Sequence, residues 1–96
     1  MPQMIYAPGA IRDLQRLREF LRPKNPLAAT RAAETIIKAI RVLGHRPQIG
    51  RPVEEAPDDY REWLIDFGDS GYVARYRFDG KAVTILAVRH QKEVGY

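Results

Sequence analysis

The sequence predicts an α+β fold: an N-terminal strand, then an α-helical hairpin packed on a mainly antiparallel β-sheet, in the order β-α-α-β-β-β. Three observations predict it. Two consecutive stretches carry apolar residues at steps of three and four, separated only by Pro23 to Asn25. Three later stretches alternate with a period of two and are joined by tight turn signals. The whole chain is 96 residues long, enough for one two-layer domain, 1–96, and too short for a second.

Residues 3–7 read as a short strand closed by the turn pair Pro8-Gly9. From Ala10 the period changes. Ile11, Leu14, Leu17 and Leu21 form one stripe, with Arg12, Arg16, Arg18 and Glu19 opposite, so a helix of about three turns is expected. It should stop near Arg22, because Pro23 disfavours helical geometry in the residue before it. Asn25-Pro26 supplies an N-cap and a first helical position whose missing N–H costs nothing. Ala29, Ala32, Ala33, Ile36, Ile40 and Leu43 make the stripe of the second helix, and Gly44 is its expected stop.

Residues 45–60, with Pro47, Gly50, Pro52 and Pro57, read as a loop of extended turns. In the first strand after it, Trp63, Ile65 and Phe67 alternate with Leu64 and Asp66. Asp69-Ser70-Gly71 is a turn signal. In the next strand Tyr72, Ala74, Tyr76 and Phe78 alternate with Val73, Arg75 and Arg77. Asp79-Gly80 then predicts a two-residue hairpin that pairs Tyr76 with Val83 and Ala74 with Ile85. The last strand, Ala82 to Arg89, is apolar at odd and even positions alike. It is therefore expected in the sheet centre, covered on both sides, with the uncovered side left for the long loop or a partner.

Composition narrows the chemistry. There is no Cys, so disulfide frameworks, thiolate chemistry and Cys-based zinc sites are excluded. The two histidines, His45 and His90, lie in different elements with no carboxylate at ligand spacing, and neither a metal nor another cofactor is expected. The single serine, Ser70, sits in a turn whose residues serve backbone geometry, which argues against a Ser/His/Asp nucleophile. The glycines form no phosphate-cradling loop. No apolar run approaches the ~18 residues of a membrane span, and no signal peptide is visible, so a cytoplasmic protein with no membrane partner is expected.

Charge is distributed unevenly. Residues 1–52 hold ten cations and three anions, a net +7, whereas residues 53–96 hold six against nine, a net −3. A basic half of that size attracts an acidic partner, either nucleic acid or an acidic protein segment; alternatively its Arg stems coat two helices for solubility. The tail Arg89-His90-Gln91-Lys92-Glu93-Val94-Gly95-Tyr96 is cationic and aromatic. Metal-free phosphodiester cleavage needs a base, an acid and fixed cations, and such a tail holds the residue types for it.

The ordered set Gly50-Arg51-Pro52, Arg61-Glu62-Trp63-Leu64-Ile65, Ser70 to Arg77 and Ile85 to His90 resembles the ParE branch of the RelE/ParE toxin superfamily, over nearly the whole chain. The resemblance implies the toxin of a type II toxin–antitoxin pair. It implies a ParD-like antitoxin whose acidic tail folds on binding, with operator DNA reached only through that antitoxin. It also implies either of two targets. RelE-like members cut mRNA on the ribosome with basic residues on the sheet and a basic-plus-Tyr cluster near the C-terminus; ParE-like members poison DNA gyrase without catalysis.

This sequence has Leu64, Asp66 and Gly68 where the endonucleases carry basic residues, and Gln91 where an Arg is expected. A carboxylate where phosphate must sit repels it. The expectation is thus a non-catalytic gyrase inhibitor that contacts its target through Arg75, Arg77, Arg89, His90 and Lys92. Antitoxin contacts are expected at Leu14, Arg18 and Leu21 on the first helix and Arg31 and Lys38 on the second, from helix face and charge. The alternatives are an endonuclease using Arg61, Arg89, His90 and Tyr96, and a decayed, harmless member that still binds antitoxin.

Overall fold

The structure, a computed structural model, describes residues 1–93. It consists of β1 (Gln3–Tyr6), α1 (Pro8–Leu21), α2 (Pro26–His45), β2 (Arg51–Pro52), β3 (Tyr60–Phe67), β4 (Ser70–Phe78) and β5 (Ala82–His90). The five strands form one sheet in the order β1-β5-β4-β3-β2. β1 runs parallel to β5 and the remaining neighbours are antiparallel. Both helices cover one face of it, with α1 against β5 and α2 against β3. This is the predicted architecture with one strand added: the pair Arg51–Pro52, read as loop, extends the edge of β3.

α1 starts two residues earlier than expected. Pro8 occupies its first turn instead of closing a β-turn, and the N-cap Ala7 is extended with no side-chain cap. Gly9 is needed there for a close approach, since a Cβ would lie 3.3 Å from the Leu86 carbonyl oxygen. The buried stripe takes in Ala10, fully buried and now inside the helix, in place of Ile11, which is 46% exposed. In α2, Asn25 caps as expected, its Oδ1 accepting the Ala28 N–H at 3.0 Å. Gly44 does not stop the helix, which continues through His45. It is buried against Met1 and Met4, where a Cβ would stand 3.3 Å from the Met1 Cε.

The core lies between helices and sheet. Ile36, Ile40 and Leu43 of α2 meet Ile65, Tyr76, Val83 and Ile85 of the strands. Tyr76 ties the loop after α2 to this core: its OH donates to the Pro47 carbonyl at 2.8 Å and accepts the Gly50 N–H at 2.9 Å.

Both hairpin turns sit one residue away from their predicted places. Phe67 pairs with Ser70 across Gly68-Asp69, so Ser70 opens β4 instead of lying in the turn. The β4–β5 hairpin turns at Gly80-Lys81, with Gly80 at a φ of 94°. Asp79 closes it: its Oδ1 accepts the Lys81 and Ala82 N–H groups, and those bonds hold its carboxyl below the usual carboxylate range. Tyr76 therefore pairs with Ile85, not Val83, and Ala74 with Val88, not Ile85.

The second change is a β-bulge. Arg75 pairs with Ala87 while Tyr76 pairs with Ile85, leaving Leu86 as the extra residue of β5. Side-chain alternation shifts there by one. Val83, Ile85 and Val88 consequently all reach the helix-covered core, and all three are fully buried. Odd and even positions of β5 thus both contribute to the helix-side core, through Val83, Ile85 and Val88, while Ala87 pairs with Arg75 of the other face.

Candidate functional site

The sheet divides the chemistry of the molecule in two. On the helix-covered side, at the end of the sheet where β3 and β4 turn, a groove of about 630 Å³ opens below α1. Helical spacing lines it with Arg16, Leu17, Phe20 and Leu21, and the strands add Phe67, Tyr72 and His90. The aromatic rings are ordered against one another: Tyr72 meets His90 edge-on at 5.4 Å and Phe67 at 6.2 Å. Phe20 stands 62% exposed at the lip, its ring under the Lys24 ammonium at 3.6 Å.

Arg16 and Glu93 close one end of this groove. The guanidinium donates to both carboxylate oxygens, at 2.7 and 3.2 Å. That pair lowers the Glu93 carboxyl from its ordinary value and raises the Arg16 guanidinium. Asp13, one turn earlier on α1, accepts the Val88 N–H at 2.9 Å and so pins the helix to the bulged part of β5. Burial, and secondarily the Glu93 charge, push the Tyr72 hydroxyl above its ordinary value.

His90 is engaged at both ring nitrogens. Its Nδ1 accepts the Lys92 N–H at 3.1 Å, so the proton of the neutral ring resides on Nε2, which faces the Ser70 Oγ at 3.0 Å. In this tautomer the imidazole donates to Ser70 and is no base for it. Among the described residues no group of three metal-ligating side chains comes together.

The opposite face of the sheet is open. Val73 is buried there at 2% exposure, next to Leu64 at 46%. Around them stand Arg75 and Arg77 of β4 and Arg89 of β5. Each is held in place. Arg75 donates to the buried carboxylate of Glu62 at 3.0 Å, and Arg51 of β2 reaches the other oxygen of Glu62 at 3.3 Å. Arg77 lies 3.6 Å from Asp59. Arg89 Nη1 donates to the Glu93 carbonyl at 3.1 Å and, at 3.4 Å, to that of His90.

The five residues expected at a target surface are therefore split. Arg75, Arg77 and Arg89 share the open face, while His90 and Lys92 line the groove on the other side. Leu14, Arg18 and Leu21 do come together, along a narrow cleft between the helices that Ala29, Ala33 and Ile36 complete. Arg31 and Lys38 are exposed on α2 and do not line that cleft. Of the endonuclease set, Arg61 donates to the Gly50 carbonyl at 2.7 Å, opposite Tyr76. His90 lies opposite Tyr72, four residues or ~13 Å further along β4. Arg89 projects to the other face, and Tyr96 lies outside the described residues.

Sequence reasoning passed over Glu62, Asp59 and Arg16 as site residues. The first two follow once the turn is placed at Gly68-Asp69, which pairs Glu62 with Arg75 and Tyr60 with Arg77. Arg16 does not, since its partner is 77 positions away.

Comparison with known proteins agrees with this geometry. A family model described as the ParE toxin of the type II toxin–antitoxin system parDE matches residues 4–95. Toxin RelE3 of Caulobacter vibrioides is 36% identical over 93 residues, covering 97% of this chain and 98% of that protein. Toxin RelE1 of the same organism is 37% identical over 84 residues, covering 88% and 87%. Among solved structures, the chromosomal ParDE system from P. aeruginosa superposes with a TM-score of 0.79 at 22% identity, over 94% of this chain and 96% of that one. The E. coli DinJ–YafQ complex does so at 0.61 and 11% identity, with full coverage of both chains. At these identities the structural likeness is one of fold.

Proposed function

The chain belongs to the ParE toxin family of type II toxin–antitoxin systems, and from that membership we propose that it arrests growth by binding DNA gyrase, without catalysis, while a cognate antitoxin holds it silent. The open sheet face, with Arg75, Arg77 and Arg89, is the target surface in this reading. The helix side takes the acidic tail of a ParD-like antitoxin, along the Leu14–Arg18–Leu21 cleft and the neighbouring groove. That side is lined by Arg16, Arg18 and Lys92 over an apolar floor, the combination an acidic amphipathic segment requires. Arg31 and Lys38, out on α2, serve as outlying charges that draw the segment in. Operator DNA is reached through the antitoxin.

One observation supports binding over cleavage. The sheet separates the only histidine of the tail from the three open-face arginines, and that histidine donates to Ser70 when neutral. Cleavage of RNA without metal needs a proton acceptor and cations around one phosphate; Arg75, Arg77 and Arg89 do not share a point with His90, and Arg16 in its groove is already engaged by Glu93.

Purified toxin added to gyrase and relaxed plasmid tests the reading. Supercoiling should fall and cleaved DNA accumulate as toxin is raised. Full supercoiling at saturating toxin, with no cleaved DNA, overturns it. The curated relatives carry RelE names, which favours a ribosome-dependent endonuclease as the second reading. Its signature is codon-phased cuts in translated message that disappear in His90→Ala. Folded protein that binds antitoxin yet leaves colony counts unchanged on expression alone would mark a decayed member.

A further inference from the structure

Glu93 sits off the end of the sheet, and its two ends serve opposite faces. Its carboxylate is gripped by Arg16 on the helix side, and its carbonyl accepts the guanidinium of Arg89, whose side chain belongs to the open side. Among the described residues, the backbone N–H groups between His90 and Glu93 are held by the Gly71 carbonyl (Gln91), the His90 imidazole (Lys92) and the His90 carbonyl (Glu93). Arg16 stands on a helix pinned to β5 through Asp13 and Val88.

We propose that Arg16 and Glu93 form a positioning clasp that fixes Arg89 on the target face from the far side of the sheet. The proposal rests on the reading of Arg89 as a target contact. Neither clasp residue touches the target. They act by holding the Glu93 carbonyl where it orients the Arg89 guanidinium, which is how a group on one face sets a contact on the other. A bidentate Arg–carboxylate pair suits this role because its two parallel bonds fix direction as well as distance.

The test is a charge-reversal cycle in the full chain: Arg16→Glu, Glu93→Arg, and the two combined. Each single variant should raise the toxin concentration for half-maximal gyrase inhibition by about three- to tenfold, the scale of an exposed pair replaced by a like-charge contact. The double variant, which restores the pair in reverse, should return to within about twofold of the unmodified chain. Glu93→Gln, which keeps size and polarity, guards against a misfolded variant and should lie between. The independent readout is the Arg89 Nε–Hε nuclear magnetic resonance signal, expected to shift in both single variants and return in the double. A signal that does not move in Arg16→Glu overturns the clasp, as does a double variant no better than the singles. If the unmodified chain leaves gyrase untouched, growth arrest on expression reads the same series. In that outcome the gyrase assignment fails while the Arg89 signal still decides the clasp.

Discussion

Glu93 shows how much a single exposed carboxylate does when its partner is a fixed guanidinium. The pair with Arg16 is half open to solvent, so its stability contribution is that of a surface ion pair in good geometry, ~0.2–1 kcal/mol. Because Arg16 lowers the native carboxyl relative to the unfolded chain, that contribution is present at neutral pH and wherever the unfolded carboxyl is ionised. It is lost as pH falls below the ordinary carboxylate value and through the depressed native one. Thermal melts of Glu93→Gln should lie about 1–6 °C below the unmodified chain at pH 7, and the two curves should converge toward pH 3. A gap that stays constant across that range would mean that the lost contact is not the ion pair. Glu62 is the contrasting case at this scale. It is a nearly buried carboxylate with an arginine on each oxygen, and it keeps the Arg75 guanidinium along the sheet surface.

Among the elements, the loop after α2 is tied to the core by a single hydroxyl, beside its contacts to β3. Tyr76 is fully buried in β4, and its OH satisfies the Pro47 carbonyl and the buried Gly50 N–H together. Tyr76→Phe leaves that N–H without its partner, which costs about 1–3 kcal/mol. In urea titrations the midpoint should drop by ~1 M with an unchanged slope, as for a loss of stability without a change in the surface exposed. A reduced slope would point instead to a loop already detached in the native state. The β5 bulge acts at the same scale and in the same sense. By taking up Leu86 as an extra residue it turns Val88 and His90 to the helix side and Arg89 to the open one. The assignment of the tail residues to their two faces thus follows from one irregularity in one strand.

Taken whole, the molecule presents a cationic, partly apolar helix side and an open sheet face on which carboxylates hold Arg75 and Arg77 and backbone carbonyls hold Arg89. Electrostatics on the helix side should govern how fast an acidic segment arrives more than how tightly it stays. Arg18 lines the cleft between the helices and is exposed, so Arg18→Glu should slow association with the antitoxin several-fold at low salt. The effect should fade near 0.5 M salt, where the screening length falls to a few ångströms. Dissociation should change less. Stopped-flow or surface-plasmon measurements at two ionic strengths check this, and an association rate indifferent to both changes would remove Arg18 from the interface.

The helical hairpin, the cap at Asn25, the order of the long strands and the excess of positive charge were all legible in the chain. Each rests on neighbours a few positions apart, where backbone geometry and periodicity act directly. The family was legible too, because its pattern is an ordered series of short segments. Which side each tail residue faces was not. That depended on where two turns close and on one unpaired residue in β5, and a shift of a single position there reassigns every side chain beyond it. The pairing of Arg16 with Glu93 was equally hidden, because no local rule relates residues 77 positions apart. Only packing of α1 over the end of the sheet brings them together, and so long-range geometry decided what the sequence left open: which charges meet, and on which face.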